Sequence, residues 1–165
     1  SAGGTATLFS AGWFDQIKCI VTYGAHAGVS TILGHPPGTV LPIQKCVPTL
    51  LIAGDSDGVV QASGHRYGSI SGPTTLIERT YTEALEGTGH GLLVLENGQH
   101  LAPCHPRNHT LGRGFLEKDV EDNVRIRTVI ADVLTAFAHH HTGGRIVLQQ
   151  TIQRHEKHIT QMEWI

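Results

Sequence analysis

Residues 47–60 read VPTLLIAGDSDGVV, and this stretch decides the predicted fold. Pro48 opens it, and the apolar run TLLIA is typical of a strand buried on both faces of a parallel sheet. The following GDSDG is a turn at the carboxyl end of that strand. Open sheets of parallel strands bind their ligands at this end, so the stretch predicts an α/β protein with acidic side chains at a functional edge.

Outward from this strand, the pattern predicts two further buried strands and two helices. IKCIVTY (17–23) and LLVLE (92–96) are the strands, and residues 2–14 form a small-residue helix. Apolar residues recur at helical spacing from Glu117 to His141, where Gly143 and Gly144 end the helix. Residues 24–46 are a Gly- and Pro-rich loop, residues 74–85 stay open between helix and strand, and residues 145–165 receive no assignment. The crossovers are long enough for a mainly parallel sheet flanked by helices.

Composition restricts the class of protein. The 165 residues indicate one domain, and 39% hydrophobic residues supply a core. A net charge of -2 argues against a nucleic-acid partner, and no apolar run is long enough for a membrane span. Three cysteines without a CxxC pair leave the disulfide state and the cellular compartment open.

Twelve histidines raise the question of a metal site. The densest group lies within residues 100–109, where two prolines interrupt regular geometry. Three consecutive histidines end the long helix, but consecutive helical side chains point about 100° apart. His155 and His158 are three residues apart rather than the four of a zinc-binding helix motif. We therefore predict neither a metal nor another cofactor.

Three polar sites lie at strand ends or at a helix start. Ser1 opens the sequence SAGG before the first helix, Asp57 follows the TLLIA strand, and His100 follows LLVLE. The order Ser, Asp, His is that of one family of nucleophilic hydrolases, in which the acid orients a histidine base. Each site also has a simpler interpretation: Ser1 as a helix cap, the Asp as a turn residue, and His100 as a surface histidine.

The motifs as a group resemble the C-terminal half of an α/β-hydrolase, beginning at its nucleophile. SAGG resembles the end of the G-H-S-x-G-G elbow, VPTLLIAGDSDGVV the strand that carries the acid, and LLVLENGQHLAP the turn that carries the base. The likeness extends over residues 1–141, and the subgroup is most similar to dienelactone hydrolases and cutinase-type polyester hydrolases. Residues 1–142 would then be the C-terminal part of a catalytic domain, and 143–165 an extension of unknown role.

This resemblance implies a serine hydrolase that cleaves a small-molecule carboxylic ester or a related acyl compound. Ser1 would be the nucleophile, His100 the base and Asp57 its partner, while the backbone N–H of Ala2 would bind the oxyanion. The loop 24–46 would supply the substrate pocket, with candidates His26, Val29, Ile32 and Leu33. The alternative is a binding or structural protein that has a hydrolase-like fold without turnover.

The resemblance further implies that the N-terminal strands and the second oxyanion donor are absent from this chain. The chain would be a fragment, one half of a nicked protein, or a self-cleaved product with a nucleophilic N-terminus. We expect it to need the N-terminal half, covalently or as a second chain, because three buried strands leave a large apolar face uncovered. Alone, it is expected to aggregate and to show no esterase activity.

Overall fold

The computed structural model describes residues 2–68, 71–106, 116 and 123–165. A four-stranded sheet forms its centre, in the order β1 (Ile20–Tyr23), β2 (Thr49–Gly54), β3 (Gly91–Leu95) and β4 (Ile159–Trp164). The first three strands are parallel, and β4 runs antiparallel to β3. The predicted α/β class, with a mainly parallel sheet, is confirmed.

Burial follows each strand's place in the sheet. Every residue of β2 and β3 is buried, which explains their continuous apolar sequences. The prediction that β1 is also buried on both faces is wrong, because β1 is first in the strand order and its residues alternate between buried and half-buried. Successive side chains of β2 point to opposite faces of the sheet. Leu51 packs in the hydrophobic cluster on one face, and Leu50 packs in the cluster on the other.

Helices cover both faces. On one face lie α1 (Ala2–Ser10) and α3 (Thr75–Glu83), and on the other α4 (Asn123–Thr142) and α5 (Leu148–Arg154). A further helix, α2 (Gly58–Ser63), follows β2 directly. Short 3-10 segments are Ala11–Trp13, Thr31–Leu33, Gly64–Tyr67 and Glu156–His158.

The predicted helices are found with shifted ends. The helix predicted at residues 2–14 corresponds to α1 and the 3-10 segment Ala11–Trp13. Residues 74–85, for which the sequence left helix and strand open, contain the helix α3. The long helix ends as predicted, because Gly143 adopts φ 77° and the Gly144 N–H donates to the His139 carbonyl at 2.7 Å. Residues 117–122 of the predicted helix lie outside the described residues.

The C-terminal segment, which the sequence analysis left unassigned, belongs to the sheet. Residues 159–164 read ITQMEW and pair with β3 along its length. Gly91 makes room for this strand, since a Cβ there would lie 2.2 Å from the Trp164 ring. The Trp164 ring in turn stacks on Phe137 of α4, with centroids 6.4 Å apart.

Three further points concern a membrane span, the state of the cysteines and the expected N-terminal half. Within the described ranges, no helix combines the length and apolar character that crossing a membrane requires. Cys19, Cys46 and Cys104 all lie in the described part and are free thiols. The expectation that the chain needs an N-terminal half stays a prediction, but the uncovered apolar face from which it was argued is wrong for the described sheet, because helices pack on both of its faces.

Candidate active site

Asp57 and His100 meet at the carboxyl edge of the parallel strands. The Nδ1 atom of His100 lies 2.8 Å from the Oδ2 atom of Asp57, so the contact expected from the sequence is present. The Asp57 side chain is fully buried, and that of His100 is 12% exposed. A carboxylate accepts at this distance, so Nδ1 carries the ring proton and Nε2 is the nitrogen able to take another.

Asp57 is fixed by a second contact. Its Oδ1 atom accepts the Val60 N–H at 2.8 Å and thereby caps the start of α2. The sequence left both a capping role and a histidine-orienting role open for this turn, and the Asp57 carboxylate makes both contacts. The neighbouring Asp55 instead accepts the Ser56 hydroxyl at 2.9 Å.

The turn that carries His100 is packed tightly against the end of β2. Asn97 has a φ of 56°, and the Gly98 N–H donates back to Leu95 at 3.2 Å. The Gly98 carbonyl accepts the Ser56 N–H at 3.1 Å, and a Cβ on Gly54 would lie 2.1 Å from that carbonyl oxygen. Two glycines are therefore required for the close approach of the acid-bearing and histidine-bearing loops.

Gly24 lies directly against the His–Asp contact. Its φ is 59°, and a Cβ built on it would lie 3.0 Å from both Asp57 Oδ2 and His100 Nδ1. Its N–H donates to the Ile52 carbonyl at 2.9 Å, which continues the pairing of β1 with β2. Gly24 was not among the predicted site residues, although a glycine immediately after a predicted strand was a usable indication of a close backbone approach.

The start of α1 lies beside the residues that follow Gly24 in the chain. A Cβ on Gly4 would lie 2.6 Å from the Ala25 Cβ, and the Thr5 hydroxyl donates to the His26 carbonyl at 3.0 Å. Ala2 is the first residue of α1. N–H groups in a first turn have no partner within the helix and lie at the positive end of its dipole. Ser1, the predicted nucleophile, lies outside the described residues.

His26 is a buried histidine near the His–Asp contact. Its Nδ1 accepts the Gly28 N–H at 3.1 Å, and its ring meets Tyr67 edge-on with centroids 4.7 Å apart. The pKa of His26 is lowered from 6.5 to about 4, chiefly by burial and then by the positive charge of the N-terminus, against the opposing attraction of the Asp57 charge. At neutral pH the ring is therefore uncharged, with its proton on Nε2.

The other three residues predicted to line the substrate pocket differ in their exposure to solvent. Val29 is buried close to His26 in sequence, whereas Ile32 and Leu33 are 89% and 69% exposed on a 3-10 segment. A separate groove of about 840 Å³ lies between α4, α5 and β4, with Trp164 and Met162 among its lining residues. That groove is at the amino end of β3, away from His100.

The other described histidines form no metal site, and one of them makes a contact with an aspartate at the surface. Within the described ranges, no group of three or more His, Cys, Asp or Glu side chains is arranged to hold a metal ion. A second His–Asp contact, missed from the sequence, joins His155 Nε2 to Asp132 Oδ2 at 2.8 Å. Its carboxylate is 42% exposed, so this contact lies at the surface between α4 and the end of α5.

Comparison with protein-family models finds no match for this chain, and a search of curated proteins finds none either.

Proposed function

We propose that this chain carries the catalytic residues of a serine hydrolase with an α/β-hydrolase fold, acting on a carboxylic ester or a related acyl compound. One observation carries the proposal: a fully buried carboxylate holds the Nδ1 atom of His100 at 2.8 Å, at the carboxyl edge of parallel strands. A buried carboxylate paired with a slightly exposed imidazole is the arrangement that a general base requires. The start of α1, close by, is the second supporting feature.

In the proposed reaction, the Ser1 hydroxyl attacks the carbonyl carbon of the substrate while His100 Nε2 accepts the hydroxyl proton. The Asp57 carboxylate keeps the other ring proton on Nδ1 and stabilises the imidazolium as it forms. The C–O bond of the ester then breaks, and the imidazolium donates its proton to the leaving alcohol. Water, deprotonated by the same nitrogen, hydrolyses the acyl-enzyme and restores the Ser1 hydroxyl.

The proposed oxyanion donor is the backbone N–H of Ala2. It would act together with the positive end of the α1 dipole on the negative charge that develops on the carbonyl oxygen. The neutral His26, whose carbonyl is bound by Thr5 of the same helix, would form part of the substrate-binding wall. An uncharged wall favours an apolar acyl group over a charged one.

A fluorophosphonate probe tests the proposal, because it reacts with an activated serine and the labelled peptide identifies which one. Because the chain alone is expected to be inactive, labelling is measured in the full-length or reconstituted protein, in which Ser1 is expected to be labelled. Asp57→Asn is expected to slow labelling about ten-thousandfold. The Asn oxygen can still cap α2, but its amide N–H₂ would face His100 Nδ1 and move the ring proton to Nε2.

Asp55→Asn is the matched control, since Asp55 contacts Ser56 rather than His100, and it should label at the wild-type rate. Labelling at another serine, or equal rates for Asp57→Asn and wild type, would refute the proposed roles. A folded protein that does not label at all would favour the binding or structural alternative.

A further inference from the structure

Tyr23 connects the first parallel strand to the loop that carries His100. It is the last residue of β1, and its hydroxyl donates to the backbone carbonyl of Gln99 at 2.8 Å. Gln99 directly precedes His100 in the chain. The contact therefore spans the end of β2, which lies between β1 and β3 in the sheet.

The end of β2 leaves space for the Tyr23 side chain to pass over it to the Gln99 carbonyl. Its last residue, Gly54, has no side chain, and a Cβ on Gly98 would lie 3.1 Å from the Tyr23 hydroxyl. The Gln99 carbonyl also accepts the Ala102 N–H at 3.0 Å. With two donors on one oxygen, the peptide plane between Gln99 and His100 has a fixed orientation, and this orientation sets the direction of the His100 side chain.

The acid partner cannot adjust to a displaced histidine. Asp57 is fully buried, and its second oxygen is committed to capping α2. The 2.8 Å contact with His100 therefore depends on how the histidine-bearing loop is held. We propose that Tyr23 is a positioning residue for His100, acting through the Gln99 carbonyl without touching the substrate. This role rests on the proposed function, in which His100 is the base.

The test compares Tyr23→Phe with Tyr81→Phe in the full-length or reconstituted protein, since the chain alone is expected to be inactive. Tyr81 is more deeply buried than the half-buried Tyr23, and its hydroxyl has no hydrogen-bond partner in the described part of the chain. Two readouts are needed: ester hydrolysis as a function of pH, and the NMR exchange rate of the His100 Nδ1 proton. The second readout needs no turnover, so it tests the positioning independently of the proposed activity.

Tyr23→Phe is expected to lower kcat about tenfold with KM little changed, which corresponds to the loss of roughly one hydrogen bond. The Nδ1 proton of His100 should exchange faster with water, because its contact with Asp57 becomes looser. Tyr81→Phe should match the wild type in both measurements, and thermal melting should show both variants folded.

Unchanged exchange of the His100 Nδ1 proton in Tyr23→Phe would overturn the inference, whatever happens to kcat. An equal effect of Tyr81→Phe would also overturn it, because the loss would then not depend on the Gln99 contact. Faster exchange in a protein without esterase activity would support the positioning role and refute the proposed function.

Discussion

Burial of His26 gives the protein a loss of stability in mild acid. The pKa of this side chain is lowered from 6.5 to about 4 in the fold. Between these pH values the unfolded chain binds a proton at His26 and the native state does not, so the free energy of unfolding falls as the pH falls. At about 1.4 kcal/mol per pH unit, the loss attributable to His26 reaches about 3 kcal/mol near pH 4.

The assay is urea unfolding of the wild type and His26→Asn, at pH steps from about 7 to about 4.5. Asparagine retains an acceptor for the Gly28 N–H but has no titrating proton. For each pH unit of acidification, the free energy of unfolding of the variant should therefore fall by about 1.4 kcal/mol less than that of the wild type. A plot of its free energy of unfolding against pH is then flatter in this window.

Thr5→Val is the control for a general loss of stability. It removes the hydroxyl that donates to the His26 carbonyl, so it should lower stability by about 1 kcal/mol at every pH and leave the slope unchanged. The reasoning is refuted if His26→Asn and the wild type lose stability in parallel as the pH falls. It is also refuted if Thr5→Val flattens the curve as much as His26→Asn does.

Two glycine substitutions test the close contacts. Gly24→Ala should cost about 1–2 kcal/mol of stability through its positive φ and, by displacing the His–Asp pair, slow fluorophosphonate labelling about tenfold to a hundredfold. Gly143→Ala is the control, because Gly143 also has a positive φ of 77° but an added Cβ there would meet open space, so it should cost similar stability and leave the labelling rate unchanged. Equal labelling of Gly24→Ala and the wild type would contradict the predicted displacement. Gly91→Ala should push Trp164 out of place and destabilise the protein by about 2 kcal/mol, with faster amide hydrogen exchange in residues 159–164; unchanged exchange there would show that β4 does not depend on this contact.

The sequence by itself determined the elements whose pattern is local. Apolar runs predicted β1, β2 and β3; burial on both faces explains the pattern of β2 and β3, whereas β1 alternates between buried and half-buried residues. Helical spacing predicted most of α4, where Ile126, Val129 and Val133 are buried on one face. The carboxyl ends of parallel strands lie at one edge, so Asp57 and His100 were predicted to meet from their places after β2 and β3.

Only the tertiary structure decided the features that depend on residues far apart in the chain. ITQMEW has no continuous apolar run, and it becomes β4 because Gly91 leaves space for Trp164. Tyr23 and Gln99 are 76 residues apart, and no spacing rule relates a strand-end hydroxyl to that carbonyl. Likewise the pKa of His26 follows from burial, which the folded surroundings determine. Periodicity encodes which face of an element is buried, whereas the partner that covers it is selected by shape and hydrogen bonding in three dimensions.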